Sequence, residues 1–419
     1  MTQDTASHPK SIHRPRIHGG AKDVAMPAPC YSYPLSKPSD AHGAMTELFV
    51  GRFITSFCGT HTSRSRKPWM MLLPDSLAND VRWPTIRLSL QAASLAQYAV
   101  EAAEPGATVQ SREMYVQALK LHRRFIRENM GAAMFPSSIA LTAVVANVIL
   151  AFFEAIRCSH VDAYGFHVSA AAEILEIIGP EQCRSGLLNQ LFFTLRSQMA
   201  FVSFISHAPF KLATRDWTQV LFSDQTAKPM SERVMDSIIA LLQIASTCDT
   251  AESFDVQDVK VSMFYIRSQL EELWTAYSDR GTSFDQALIS VAAPHSPINH
   301  NPVTILTTVY FNCASLILSH LSATYMGDHL ADVTSIASCA SILSGIEYLE
   351  KQSIGCAYMR MMLPLALVSL KSPEVDQQRV ARAKIQTWHA QRLMSGLCMV
   401  SLHHLDNYRN LARGDSMED

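Results

Sequence analysis

The chain is poor in charge and empty of the short motifs that mark common chemistries. Of its 419 residues only 17% are charged. Lys and Arg number 35 and Asp and Glu 37, a net charge of -2. That balance lacks the basic excess of a dedicated nucleic-acid binder. The nine cysteines (Cys30, Cys58, Cys158, Cys183, Cys248, Cys313, Cys339, Cys356, Cys398) are odd in number and never spaced Cys-x-x-Cys. This argues against a disulfide framework and a zinc site, and suits a reducing compartment. The sequence has no Gly-x-Gly-x-x-Gly, no phosphate-binding Gly-Lys-Ser/Thr loop, no Gly-x-Ser-x-Gly elbow and no His-Glu-x-x-His. The commonest nucleotide, serine-hydrolase and metalloprotease chemistries are thereby removed. No apolar segment follows Met1, so no signal peptide is expected. Strand-like alternation and repeats of fixed period are missing too.

What is present is apolar sequence at helical spacing. Hydrophobic residues make up 48% of the chain, enough for a sizeable core. Residues 1–43 are read as a disordered tail, with five basic residues facing three acidic ones. Residues 44–412 are read as a single all-helical domain and 413–419 as a C-terminal tail. Leu48, Phe49, Phe53, Ile54 and Phe57 open the period, and helices are expected at about 85–103, around Tyr115 to Ile126, and at about 138–157. Pro105-Gly106 punctuates the end of the first of these. Residues 64–84, 249–258 and 278–301 read as loops. Two uncharged runs, 132–153 and 303–326, reach spanning length. Asn147 in one, and Asn312 and His320 in the other, interrupt them, so both are read as core helices and no membrane is expected.

Within this pattern a few polar residues stand out. His167 shares one helical face with Ala170, Ala171, Ile174, Leu175 and Ile178. It is read either as a packed histidine or as the wall of a ligand pocket. Gly179 is suited to a left-handed cap and Pro180 cannot continue the helix. Arg196 adjoins the Leu188, Phe192, Leu195, Met199 stripe and needs an acidic partner if buried, with Glu154 and Glu173 as candidates. Tyr310, Asn312 and His320 put polar tips into a long apolar helix, and Arg360 lies in a methionine-rich helix that Pro364 is expected to break or kink. These six, His167, Arg196, Tyr310, Asn312, His320 and Arg360, are the ligand-binding candidates. His160 and Asp162 do not share a helical face with His167, so no metal is expected.

The stretch Tyr164-x-x-His167-x-x-Ala170-Ala171, Leu175, Gly179-Pro180, Leu191-Phe192, Arg196, Pro209 and Trp217 resembles the helical regulatory domain of fungal-specific transcription factors. Phe152-Phe153-Glu154 before it, and Met362-Leu363-Pro364-Leu365 and Trp388 after it, fit the same layout. Tyr164 stands where the family has Trp, and Ala170 where it has Gly. The resemblance implies a large all-α bundle that tunes transcription in nutrient use or secondary metabolism, in the nucleus or cytoplasm. The family reads DNA through six clustered cysteines, whereas residues 1–57 hold one, Cys30. The expectation is therefore a regulator without its own DNA-binding domain and without direct sequence-specific DNA binding. It would act through a homodimer, a partner transcription factor or a small-molecule ligand. The alternative is the same helical fold put to use as a cofactor-free cyclase or isomerase acting on a natural-product intermediate. No cofactor is implied by either reading.

Overall fold

The computed structural model describes residues 41–59, 67–73, 84–129, 136–220, 228–250, 255–278, 302–328, 331–351 and 355–414. Among them the protein is all α, with thirteen α-helices, two 3-10 turns, one π-helical turn and no strand. The helices are α1 (Ala41–Cys58), α2 (Pro84–Glu101), α3 (Pro105–Asn129), α4 (Ser137–Arg157), α5 (Ala163–Ile178), α6 (Gly186–Ser206) and α7 (Met230–Thr250). They continue as α8 (Val256–Tyr277), α9 (Pro302–Met326), α10 (Ala331–Glu350), α11 (Gly355–Lys371), α12 (Val375–Ala390) and α13 (Ser395–Gly414). The expected tail falls on residues of which 1–40 and 415–419 lie outside those described. So do most of the expected loops, at 60–66, 74–83, 251–254 and 279–301. Helix α1 begins three residues before the expected boundary at 44, and α13 runs two residues past 412.

The stripes fold as their spacing dictates. Leu188, Phe192, Leu195 and Met199 of α6 are buried, as are Met263, Ile266, Leu270 and Leu273 of α8. Helices α4 and α9 are long and apolar enough to cross a membrane, but 89% and 72% of their most apolar windows are buried inside the protein. Helix α4 packs on α2, α5 and α13, and α9 packs on α7, α10 and α11. Small residues set the closest approaches. A Cβ on Gly396 would lie 2.0 Å from the Glu154 carbonyl oxygen, so the start of α13 rests on the end of α4 backbone to backbone.

Two local expectations change. Pro105 does not merely end α2; it opens α3 at the first helical position, where its missing N–H costs nothing. Pro364 does not break α11, which runs through it from Gly355 to Lys371. Neighbours on every side hold the helix together. Pro364 still removes the N–H that would normally bond the carbonyl of Arg360. Gly179 takes a positive φ of 78° as expected, but with ψ of 165°, an extended exit and not the left-handed helical cap.

Candidate functional site

The polar residues of the core gather in two groups. The larger lies where α6, α7, α9 and α11 meet. Arg196 of α6 is fully buried and donates from Nη1 to the Glu232 carboxylate and to the Glu232 carbonyl, both at 3.3 Å. Its Nη2 donates to Asp236. Lys228, buried just before α7, donates to the same Asp236 and to the Thr218 carbonyl at 3.2 Å. Thr218 belongs to the π turn Asp216–Val220, whose Trp217 lies 5.3 Å from the Phe192 ring. The Arg196 guanidinium rests 5.5 Å above that same Phe192.

Electrostatics extend this group to α11. Burial and the Arg196 charge push the Lys228 ammonium down to about 8, against the pull of Asp236. Burial raises the Glu232 carboxyl, while Arg196 and Arg360 both pull it down. Arg360 feels Tyr310, Cys356, Glu232 and Cys58 as its ionisable neighbours. Burial keeps the Tyr310 phenol neutral far above its ordinary range, with Arg360 acting against it. Arg196 bonds Glu232 directly, whereas Arg360 and Tyr310 couple to Glu232 only electrostatically.

The smaller group joins α3, α4 and α5 around His167. The Tyr115 hydroxyl lies 2.9 Å from His167 Nε2, and Asn147 Oδ1 lies 3.5 Å from His167 Nδ1. Tyr115 stacks on Phe153 at 4.1 Å and also bonds the fully buried Glu154. Glu154 accepts from the Ser159 backbone N–H at 2.6 Å and from the Ser159 hydroxyl at 2.5 Å. His122 completes the group, and its Nδ1 is buried with no partner among the described residues. Burial pushes both histidines down to about 4, and the His122 charge adds to the effect on His167. The Tyr115 hydroxyl therefore links the buried Glu154 to a neutral His167.

The remaining candidates stand apart. Asn312 is buried in α9 and donates to its own helix, at the Thr308 carbonyl, 2.8 Å away. Its Oδ1 has no partner among the described residues. His320 sits near the exposed end of α9, 3.0 Å from the Lys371 ammonium. Neither joins the two groups. The acidic partners expected for Arg196 are also corrected. Glu154 is committed to Ser159 and Tyr115, and Glu173 pairs with Lys211. The partners that serve, Glu232 and Asp236, come from α7, some 40 residues away in sequence at most. Their signal was the spacing Glu232-x-x-x-Asp236, which puts two carboxylates on one face of α7. Among the described residues no group of three or more His, Cys, Asp or Glu could hold a metal ion.

No protein-family model, curated protein or solved structure matches this chain.

Proposed function

We propose that the protein is a small-molecule-binding regulator built on a helical bundle like the regulatory domain of fungal zinc-cluster factors. The observation that carries this reading is the charged group of Arg196, Lys228, Glu232 and Asp236 in an apolar, all-helical protein, with Arg196 and Lys228 buried and the two carboxylates half-buried. Buried charges of this kind add little or nothing to stability compared with apolar packing of the same volume. We take the retention of such charges to serve the binding of a polar ligand. The 419 residues hold no cysteine cluster that could bind zinc, so regulation would pass through a partner protein or a second copy.

The alternative, a cofactor-free cyclase or isomerase, draws its support from the other group. Glu154, Tyr115 and the half-buried, uncharged His167 form a hydrogen-bonded acid–base chain of the kind proton transfer needs. One experiment separates the two. The purified full chain is incubated with fractionated fungal metabolites, followed by thermal melting and by mass spectrometry of the mixture. The regulator is expected to be stabilised by a metabolite that is recovered unchanged. Consumption of the metabolite, abolished by His167→Gln or Tyr115→Phe, would replace the regulatory reading with the enzymatic one.

A further inference from the structure

Helices α3 and α4 run antiparallel along one contact line. Tyr115 of α3 stacks on Phe153 of α4 at 4.1 Å, and His122, two turns on, sits beside Asn147, nearly two turns back. One turn to the other side of that stack stand Arg112 on α3 and Arg157 on α4, so the same register sets them opposite each other. Arg157 is the last residue of α4. The next residue, Cys158, meets the connection between α12 and α13, where a Cβ on Gly396 would lie 2.6 Å from the Cys158 nitrogen. That connection carries Arg392, whose Nη1 donates to the Val100 carbonyl at 3.4 Å, near the end of α2. Three arginines from distant parts of the chain thus meet where the ends of α2, α4 and α12 come together.

Two features of this joint point to a ligand. The first is unanswered charge. Arg157 is half-buried, and its Nε is buried with no hydrogen-bond partner among the described residues. None of the three arginines pairs with a carboxylate among those residues. Glu154, one turn before Arg157, is taken up by Ser159 and Tyr115. Burial and the charges of Arg112 and Arg392 hold the Arg157 guanidinium below its ordinary value. The ends of α4 and α12 offer only about half a negative charge each, so about two of the positive charges stay unbalanced. The second feature is Arg392, which stands where the helix end asks for glycine. The Leu393 N–H bonds the Trp388 carbonyl at 2.8 Å and the Arg392 N–H bonds the His389 carbonyl at 3.0 Å. In this Schellman pattern the residue in Arg392's place is left-handed and usually Gly. Arg392 takes a φ of 62° there. Glycine would relieve the strain, and the exposed Arg392 side chain adds little packing to offset it.

We propose that Arg112, Arg157 and Arg392 form a receiving site for a phosphate group, carried by a small-molecule phosphomonoester or present as the free ion. Guanidinium forks match phosphate oxygens in pairs, and the buried Arg157 Nε–H gains an acceptor. A phosphate group carries about 1.5 to 2 negative charges near neutral pH, close to the excess at the joint. A carboxylate supplies less. The site shares no residue with the Arg196 group and does not depend on reading that group as a binding site.

The test uses the full chain with phenyl phosphate and inorganic phosphate, each against benzoate, by calorimetry at about 0.1 M salt. At least one phosphate is expected to bind, with benzoate weaker by about tenfold or more. Phenyl phosphate tighter than the free ion would make the ligand a phosphomonoester, and the reverse order would make it the free ion. Arg157→Gln should weaken the phosphate by about tenfold or more. Arg392→Gly should weaken it by roughly threefold to tenfold. Its urea midpoint should nonetheless stay level or rise, because glycine suits the left-handed position. Arg379 is exposed and paired with Asp376, and Arg379→Gln should leave the affinity unchanged. Arg392→Gly decides the matter if Arg157→Gln fails to fold. The proposal is overturned if no phosphate binds, if benzoate binds as well, if Arg392→Gly keeps full affinity, or if Arg379→Gln weakens binding as much. A short DNA duplex that binds through the same arginines while both small phosphates fail would also overturn it, in favour of a nucleic-acid backbone.

Discussion

His122 and His167 enter the core as neutral imidazoles, and that has a cost below neutral pH. Burial is the main cause, and each is pushed down to about 4, against about 6.5 for an unfolded histidine. Above about pH 6.5 both states are neutral and this contribution is intact. As pH falls from about 6.5 to about 4, the unfolded chain takes up protons that the folded chain refuses, and stability is lost across that window. The loss is at most about 3 kcal/mol per histidine, and the two are coupled, so they do not simply add. Urea unfolding at about pH 7.5 and about pH 4.5 should show this loss in the native chain and much less of it in His122→Gln/His167→Gln. An unchanged pH dependence in the double variant would refute the assignment. At neutral pH, His167→Ala should lower stability by about 1–3 kcal/mol, because Tyr115 loses its partner at 2.9 Å. A variant that unfolds like the native chain would show that the bond carries no weight. The place of His167 on an apolar face was legible in its spacing from Ala170, Ala171 and Ile174. Its bond to Tyr115 was not, because the two lie on different helices 52 residues apart.

Between elements, the contacts with most leverage are those where helices touch without side chains to spare. At Gly396 an added Cβ would lie 2.0 Å from the Glu154 oxygen and 2.6 Å from the Cys158 nitrogen, both backbone atoms that cannot rotate away. Gly396→Ala should therefore push α13 off α4 and cost at least about 2 kcal/mol, the upper half of the usual range for overpacking. Gly179→Ala meets nothing within 4 Å and should cost only its strained backbone at φ 78° and ψ 165°, about 1–3 kcal/mol. Denaturant midpoints of the two variants give the comparison, and an equal or reversed order would contradict it. The α6–α7 joint depends on charge. Arg196→Ala removes the group that Glu232 and Asp236 share and should cost about 3–5 kcal/mol. Adding Glu232→Gln and Asp236→Asn to it should recover part of that loss, since no buried carboxylate then remains unpaired. Failure to recover any would mean the cost lies in packing against Phe192.

For the whole molecule, an overall charge of -2 and the absence of a cysteine cluster set the expectation for DNA. Fluorescence anisotropy should find only weak binding that does not depend on sequence and falls steeply with salt. Tight, sequence-specific binding at physiological salt by the chain alone would overturn it. The resemblance to a fungal regulatory domain rests on helix-packing residues, and these now have structural roles. Tyr164 packs edge-on against Phe201 at 6.3 Å. Trp388 is fully buried, with its Nε1 donating to Glu350 at 2.9 Å and its ring edge-on to Tyr358 at 4.8 Å. Residues of this kind specify how helices meet, which is why they mark an architecture more readily than an activity.

By itself the sequence determined that the described protein is all helix and which face of most helices turns inward. Periodicity is a local property, and burying an apolar stripe is the strongest force acting on it. It also marked Arg196, Tyr310 and Arg360 as polar residues out of place, because a charge or hydroxyl among apolar neighbours is visible in one dimension. Tertiary structure alone decided that Arg196 is answered from α7, that Asn312 and His320 stand apart from that pairing, and that α11 survives Pro364. Each of those outcomes depends on which helices become neighbours. That is settled by the summed packing of many side chains distant in sequence, and no local pattern encodes it.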